Sequence, residues 1–521
     1  MHPLPVANTM LFESQADLSA AQAISRLLFS NPFLPERIEC ERAVLGDQFV
    51  DVNAAWNLAQ DWEGNRPNIG RLLETAERLA ARTRDRLAAG ERGSEKEIGL
   101  YEDVALYLLY YRVHEPLTRY IKGEMAKPPQ ELSAAYAKFA EDVAHFFEIP
   151  GLKLSGELDA PHLFALYFQV RRAFHHTFEN IVGSSMPAAR LRAAIWQSIF
   201  THNMRRYLRV MYDRMSDLTT LITGPSGTGK ELVASAIALS RYIPFDARAK
   251  SFADSYEALF HPLNLSAMSP TLIESELFGH RRGAFTGALE DRAGWMEVCQ
   301  PLGTVFLDEI GELDPAIQVK LLRVLQTRTF QRLGDTKTRH FRGKIIAATN
   351  RDLPKEMAAG TFRQDFYYRI CSDLIATPSL RDQLAEAPGD LRHMILFITR
   401  RIAADEAEPL ADEVEAWVRK HLGRDYPWPG NFRELEQCVR NILIRHEYRP
   451  PDLGARDAAG KLAEELDRGA LTADELLRKY CTLVYSRTRN LEETARRLKL
   501  DRRTVKSKVD PELLGASRNG D

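Results

Sequence analysis

Leu218-Thr-Thr-Leu-Ile-Thr-Gly-Pro-Ser-Gly-Thr-Gly-Lys230-Glu-Leu-Val-Ala-Ser235 is the stretch that decides the fold. Thr219 to Thr223 is β-branched and apolar, which reads as a buried strand. Glycines at 224, 227 and 229 then let the backbone turn tightly. The Ala/Leu/Val/Ile run from Leu232 to Leu239 reads as a helix. Strand, glycine-rich turn and helix in that order make a phosphate-binding loop (Gly224, Pro225, Ser226, Gly227, Thr228, Gly229). Its backbone N–H groups converge on an anion at the positive end of the helix. Lys230 supplies a point charge for the β- and γ-phosphates, followed by Glu231 and Leu232. Glu231 stands where Ser or Thr usually touches the metal. A glycine-rich turn before a helix can also be plain capping, so the rest of the chain has to decide.

Downstream, Gly303-Thr-Val-Phe-Leu-Asp308-Glu309 reads as a parallel strand delivering two carboxylates at its C-terminal end, where open α/β sheets bind ligands. Asp308 suits Mg²⁺, and Glu309 suits polarising the water that attacks a γ-phosphate. A third buried strand, Lys344-Ile-Ile-Ala-Ala-Thr349-Asn350, ends in two polar residues on the same side. ATP and Mg²⁺ are the expected ligands.

With these motifs in order, residues from about Ile181 to Ile444 resemble the AAA+ domain of bacterial enhancer-binding proteins, the activators of sigma-54 RNA polymerase. Gly283-Ala284-Phe285-Thr286-Gly287-Ala288 is that family's signature, and a phosphate loop ending Lys230-Glu231 is usual there. The block Tyr426-Pro-Trp-Pro-Gly-Asn431-Phe-Arg433 matches the helical lid. The resemblance implies that Asn264 holds Glu309 inactive until a signal, that Thr349 and Asn350 form the first sensor, and that Arg433 forms the second. It assigns Arg363 and Arg369 in trans to a neighbouring subunit's nucleotide, hence a homo-oligomer, a hexameric ring. It also implies that the signature loop touches sigma-54 RNA polymerase holoenzyme. Three departures stand out: Pro-Pro-Leu-Arg-x-Arg appears as Thr377-Pro-Ser-Leu-Arg381-Asp-Gln383, with one arginine lost, Arg342 sits where an Asp is usual, and the segment from Ser184 to Leu221 is longer than usual.

The expected fold is multidomain. Residues 1–178 form a mostly α regulatory domain, 179–385 the α/β P-loop part of the AAA+ domain, and 386–447 its helical lid. A linker covers 448–471, and an all-α helix-turn-helix covers 472–521. In the first part, Tyr101 to Ile121 and Leu163 to Phe178 are apolar and aromatic at helical spacing. Their tyrosines fit a core better than a ligand pocket, and no catalytic constellation is present there. An unknown signal ligand or protein is expected at this region. In the last part, Asn490 and Asp501 read as helix starts. Arg502, Arg503, Thr504, Lys506 and Lys508 would face double-stranded DNA at an enhancer-like upstream site, as in the Fis-type domain that closes these activators.

Composition sets the outer limits. The chain has 521 residues, too many for one core, and a formal net charge of -2, so nucleic-acid binding needs a local patch. Its five cysteines are scattered, which indicates neither zinc site nor disulfide framework. No apolar run is long enough to span a bilayer, and a cytoplasmic protein is expected. The reading is an ATP-hydrolysing transcriptional activator. The alternatives are an AAA+ remodeller of another target, or a DNA-binding regulator using ATP only to oligomerise.

Overall fold

The computed structural model describes residues 10–51, 67–125, 130–150, 159–255, 259–450, 462–463, 465–466 and 469–510. Residues Met1–Leu443 form one compact unit and Ile444–Asp521 another. Most of the expected linker, 448–471, lies outside the described residues.

The large unit begins with six helices: α1 (Gln15–Phe29), α2 (Glu36–Leu45), α3 (Pro67–Ala88), α4 (Glu95–Ile121), α5 (Gln130–Phe147) and α6 (Ala160–Asn180). Their ends follow local chemistry. Ser94 and Glu97 form a reciprocal capping box at the start of α4, and the Asp159 side chain accepts from the His162 N–H to start α6. Leu79, Val104, Leu108, Phe139, Phe164 and Phe168 lie in their shared core.

The motor is built on five parallel strands: β1 (Thr220–Thr223), β2 (Phe260–Asn264), β3 (Thr304–Asp308), β4 (Lys344–Thr349) and β5 (Asp373–Ala376). Their spatial order is β5-β1-β4-β3-β2. Both faces of the sheet are covered, so the middle positions of its central strands form unbroken apolar runs, Leu221–Ile222, Val305–Leu307 and Ile345–Ala348. Leu221, Leu307 and Ala347 point to one face, against Ile310, Leu321 and Phe366. Ile222, Phe306 and Ile346 point to the other, against the phosphate-loop helix α8 (Lys230–Ala238) and α7 (Met186–Phe200).

That second core also contains Phe33, Leu166 and Ala173 from the N-terminal helices. The exchange runs both ways: Phe252 of the motor stacks on Phe168 with ring centroids 3.8 Å apart. A division at 178 therefore falls inside α6 and cuts through a shared core.

Further along come α9 (Pro270–Phe278), α10 (Pro315–Thr327), α11 (Gln364–Ile370) and α12 (Leu380–Glu386), then the lid helices α13 (Asp390–Ala403), α14 (Ala407–His421) and α15 (Asn431–Arg445). The smaller unit holds α16 (Ala473–Thr488), α17 (Leu491–Leu498) and α18 (Arg502–Lys508) around Cys481, Ala495 and Val505. Lys499 between α17 and α18 sits at φ 52, in the left-handed region where a glycine is expected.

Candidate functional site

The phosphate loop is held by backbone that only glycine fits. Gly224 and Gly227 lie at φ 148 and 79, and a Cβ on them would come 2.0 Å from Thr377 Oγ1 and 2.2 Å from Gly430 O. The loop is thereby pressed between the end of β5 and the lid. Thr377 repays the contact: its hydroxyl lies 2.6 Å from Thr228 Oγ1 and donates to Thr223 O at 3.2 Å. The Thr377 N–H also donates to Thr223 O, at 2.8 Å, so both its hydroxyl and its backbone tie the end of β5 to the loop.

The lid closes over the same loop. Asn431 Nδ2 donates to Ser226 O at 2.9 Å, the Phe432 N–H to Gly227 O at 3.0 Å, and Arg433 Nη1 to Ser226 Oγ at 3.1 Å. Asn431 Oδ1 in turn accepts from the Leu380 N–H at 2.9 Å. Asp390 of α13 accepts from the Ser184 N–H and hydroxyl, both at 2.6 Å. Asn431, Thr377 and Asp390 are therefore part of the site's frame. Sequence reasoning gave them no role because each acts across about 150 to 206 residues.

Lys230 is buried and its Nζ donates to Gly224 O and Pro225 O at 3.1 and 3.2 Å. Burial lowers its pKa, and the nearby Glu309 and Asp308 carboxylates oppose that. Asp308, at the end of β3, is pushed up by burial and held back by Lys230. The two strand ends meet here, since Asn350 follows β4: the Asn350 N–H donates to Glu309 Oε2 at 3.2 Å. Thr349 is fully buried, and its hydroxyl accepts from the Arg351 N–H. Asn264 does not hold Glu309. Its side chain accepts instead from the Ser266 N–H and hydroxyl, at 3.0 and 2.8 Å. This corrects the expected contact: the short turn after β2 satisfies the Asn264 carbonyl locally, and the Asn350 N–H takes the carboxylate.

Among the described residues, no group of three or more His, Cys, Asp or Glu side chains is placed to bind a metal. A magnesium site made of one carboxylate, substrate phosphates and water needs no such group. Asp308 beside the phosphate loop fits that requirement.

Arg363 is the N-cap of α11 and Arg369 lies in its last turn; both are exposed, with Arg363 paired to Asp365 at 2.7 Å. The signature Gly283–Ala288 forms a tight excursion between two short paired strands, Gly279–His280 and Arg292–Ala293. The Gly283 N–H donates to Ala288 O at 2.8 Å, closing its neck. Gly283 and Gly287 take φ 80 and 102 with open space around them. Phe285 is half-buried against His280, ring centroids 5.0 Å apart. Leu289, just past the neck, is 80% exposed.

In α18, Arg503 and Lys506 are exposed and Thr504 is half-buried, whereas Arg502 pairs with Glu492 at 3.0 Å. Lys508 does not face outward as expected; it is partly buried and ion-paired with Asp474 of α16. The cause is its place in the last turn of α18, beside the first turn of α16.

A β5-β1-β4-β3-β2 sheet, a phosphate loop on β1, an acidic pair on β3 and a helical lid over the nucleotide end define an AAA+ domain. Residues 198–375 match the family described as the Sigma-54 interaction domain. The chain is 43% identical to the Nif-specific regulatory protein of Azotobacter vinelandii over 229 residues, 44% of this chain and 40% of that protein. It is 37% identical to the Nif-specific regulatory protein of Enterobacter agglomerans over 312 residues, 60% and 53% of the two chains. It is 42% identical to the sigma54-dependent transcriptional regulator SfnR of Pseudomonas fluorescens over 235 residues, 44% and 57%. The chain thus spans about half the length of the curated relatives it matches. Among the described residues, no helix is long and apolar enough to cross a membrane.

Proposed function

We propose that the protein is an ATP-hydrolysing activator that converts sigma-54 RNA polymerase promoter complexes from closed to open while bound to an upstream DNA site. The observation that carries this reading is the Glu309 carboxylate, fixed by the Asn350 N–H beside Asp308 and Lys230 in a domain that bears the signature loop.

ATP phosphates lie against the N–H groups of residues 224–230, with Lys230 turning from the loop carbonyls to the β- and γ-oxygens. Asp308 would hold Mg²⁺, which would supply charge neutralisation to the phosphates. Glu309 draws a proton from the attacking water, and Asn350 keeps the carboxylate aimed. Arg433 stays on the lid side of the loop. Arg363 exchanges Asp365 for the nucleotide of the next subunit in a hexameric ring, with Arg369 beside it. Such a planar fixed charge stabilises the charge developing on the transferred phosphoryl group. The loop Gly283–Ala288 presses on sigma-54, and α18 reads DNA with Arg503, Lys506, Arg502 and Thr504. The cytoplasm is the compartment in which these partners meet.

Two substitutions test the reading in one promoter assay. Thr286→Ala is expected to hydrolyse ATP normally yet fail to open the promoter, and Glu309→Ala to bind ATP and do neither. Promoter opening by Thr286→Ala at the wild-type level rules the loop out.

A further inference from the structure

Two cavities lie against α6. One, of about 370 Å³, is lined by Arg241 and Lys344, which already give their hydrogen bonds to backbone carbonyls and, from Arg241 Nη2, to the Ser216 hydroxyl. The other lies where the N-terminal helices meet the motor.

This second cavity, about 140 Å³, is walled by Phe29 of α1, Tyr107, Tyr110 and Tyr111 of α4, Phe174 of α6 and Trp196 of α7. Its volume is near the ~150 Å³ that takes up one benzene ring in an apolar core. The wall is aromatic on several sides, a surface that pairs edge-to-face with a planar ring. Tyr110 already meets Tyr111 and Tyr167 in that manner, at 5.1 and 5.5 Å.

One charge in the wall has no counter-ion among the described residues. Arg171 is 8% exposed, and its only hydrogen-bond partner among the described residues is Thr118 Oγ1, at 3.0 Å from Nε. The other ionised pair in the wall, Arg37 and Glu41, neutralises itself. A buried guanidinium lacking a carboxylate is costly, and a ligand that brings one removes that cost.

The cavity also touches the device that holds the phosphate-loop helix. Val170, Arg171 and Phe174 of α6 line it. Their neighbours on the same helix reach the other way: Arg172 Nη1 donates to Leu239 O at 2.7 Å, just beyond the C-terminus of α8. Gln169 Nε2 donates to Ser240 O at 2.9 Å. Arg172 is fully buried, lies over the Phe168 ring at 4.5 Å, and complements the negative end of α8. A shift of α6 on filling the cavity therefore moves the groups that close the helix carrying Lys230.

We propose that this cavity is a regulatory site for a small aromatic carboxylate, its ring among the tyrosines and its carboxylate on Arg171, and that occupancy acts on the motor through α6. The binding half stands on the cavity alone; the regulatory half rests on the ATPase reading above.

The test uses the full-length protein with benzoate, benzyl alcohol and hexanoate, followed by calorimetry, and ATP hydrolysis with and without saturating benzoate. Benzoate is expected to bind saturably, with each of the other two weaker by about tenfold or more. Arg171→Gln should weaken benzoate by about tenfold and leave benzyl alcohol unchanged, and Val170→Trp should abolish both. Saturating benzoate should change the ATPase rate about fivefold or more. No saturable binding of benzoate while ATPase is intact overturns the site, as does binding indifferent to both substitutions. Equal binding of benzoate and benzyl alcohol overturns the carboxylate contact. Benzoate binding with an unchanged ATPase rate overturns the coupling. Benzoate binding to a protein with no ATPase at all sinks the motor reading and leaves the site standing.

Discussion

At the scale of single residues, Glu309 holds an unfavourable backbone. Its φ of 58 is in the left-handed region that a side chain with a Cβ avoids, at a cost of about 1–2 kcal/mol. The conformation turns the chain straight after β3, so that the carboxylate meets the Asn350 N–H. Stability and chemistry are thus opposed at this position. Glu309→Gly and Glu309→Ala should both bind ATP and both fail to hydrolyse it. Glu309→Gly should be the more stable of the two by about 1 kcal/mol in denaturant unfolding; equal stabilities would remove the strain argument. The same scale explains what the sequence disclosed of the site. Lys230, Asp308 and Glu309 lie in short contiguous motifs whose geometry is local, so spacing identifies them. Thr377 and Asn431 act on residues about 150 and 205 positions away, and their contacts appear only once β5 and the lid are folded against the loop. Asn264 shows the reverse: its role came from resemblance, and a local turn took its side chain.

At the scale of elements, α18 shows how a basic helix divides its charges. Arg503 and Lys506 are exposed, whereas Lys508 braces α16 through Asp474. Arg503→Ala is expected to weaken specific DNA binding by about 1–3 kcal/mol if it meets a base edge. Lys508→Ala should lower the melting temperature of residues 444–521 and leave the salt dependence of DNA binding unchanged. A reduced salt slope for Lys508→Ala would return that residue to the phosphate backbone. In α6, burial drives the His176 pKa down to about 3, helped by the charges of His175 and Arg172. Between about pH 3 and 6.5 the unfolded chain takes up a proton that the folded imidazole refuses. This group therefore makes stability fall as pH drops through that window, by at most about 1.4 kcal/mol per pH unit. His176→Gln should flatten the acid limb of a stability profile from pH 6.5 to 4, and an unchanged slope would place the proton uptake elsewhere. The strands and α8 were legible because short apolar runs and glycine placement are local signals. The helices of the N-terminal region were legible as helices, but their partners were not, since an aromatic helical face carries no address.

At the scale of the whole chain, the large unit is organised by cores that ignore the sequence boundary at 178. Phe33, Leu166 and Ala173 complete the face of the sheet that supports α8, and Phe252 of the motor enters the helical core. Each large apolar side chain lost from such a core costs about 1.5–3 kcal/mol. A version beginning at Asp159 keeps α6, with Arg172 and Gln169 on the end of α8, and is expected to fold and bind ATP. A version beginning at Phe178 loses those contacts and should be markedly less stable in thermal melting. Equal melting of the two would show that α6 contributes nothing to the motor.

The reach of Arg172 across to the last carbonyls of α8 also bears on how such a protein can be recombined. A sensory part grafted onto this motor at the end of α6 would arrive without the guanidinium that closes the helix, so α6 has to be inherited with the motor. What varies from one hybrid to another would then be confined to the residues before 160, and each new input would have to learn to lean on one fixed lever.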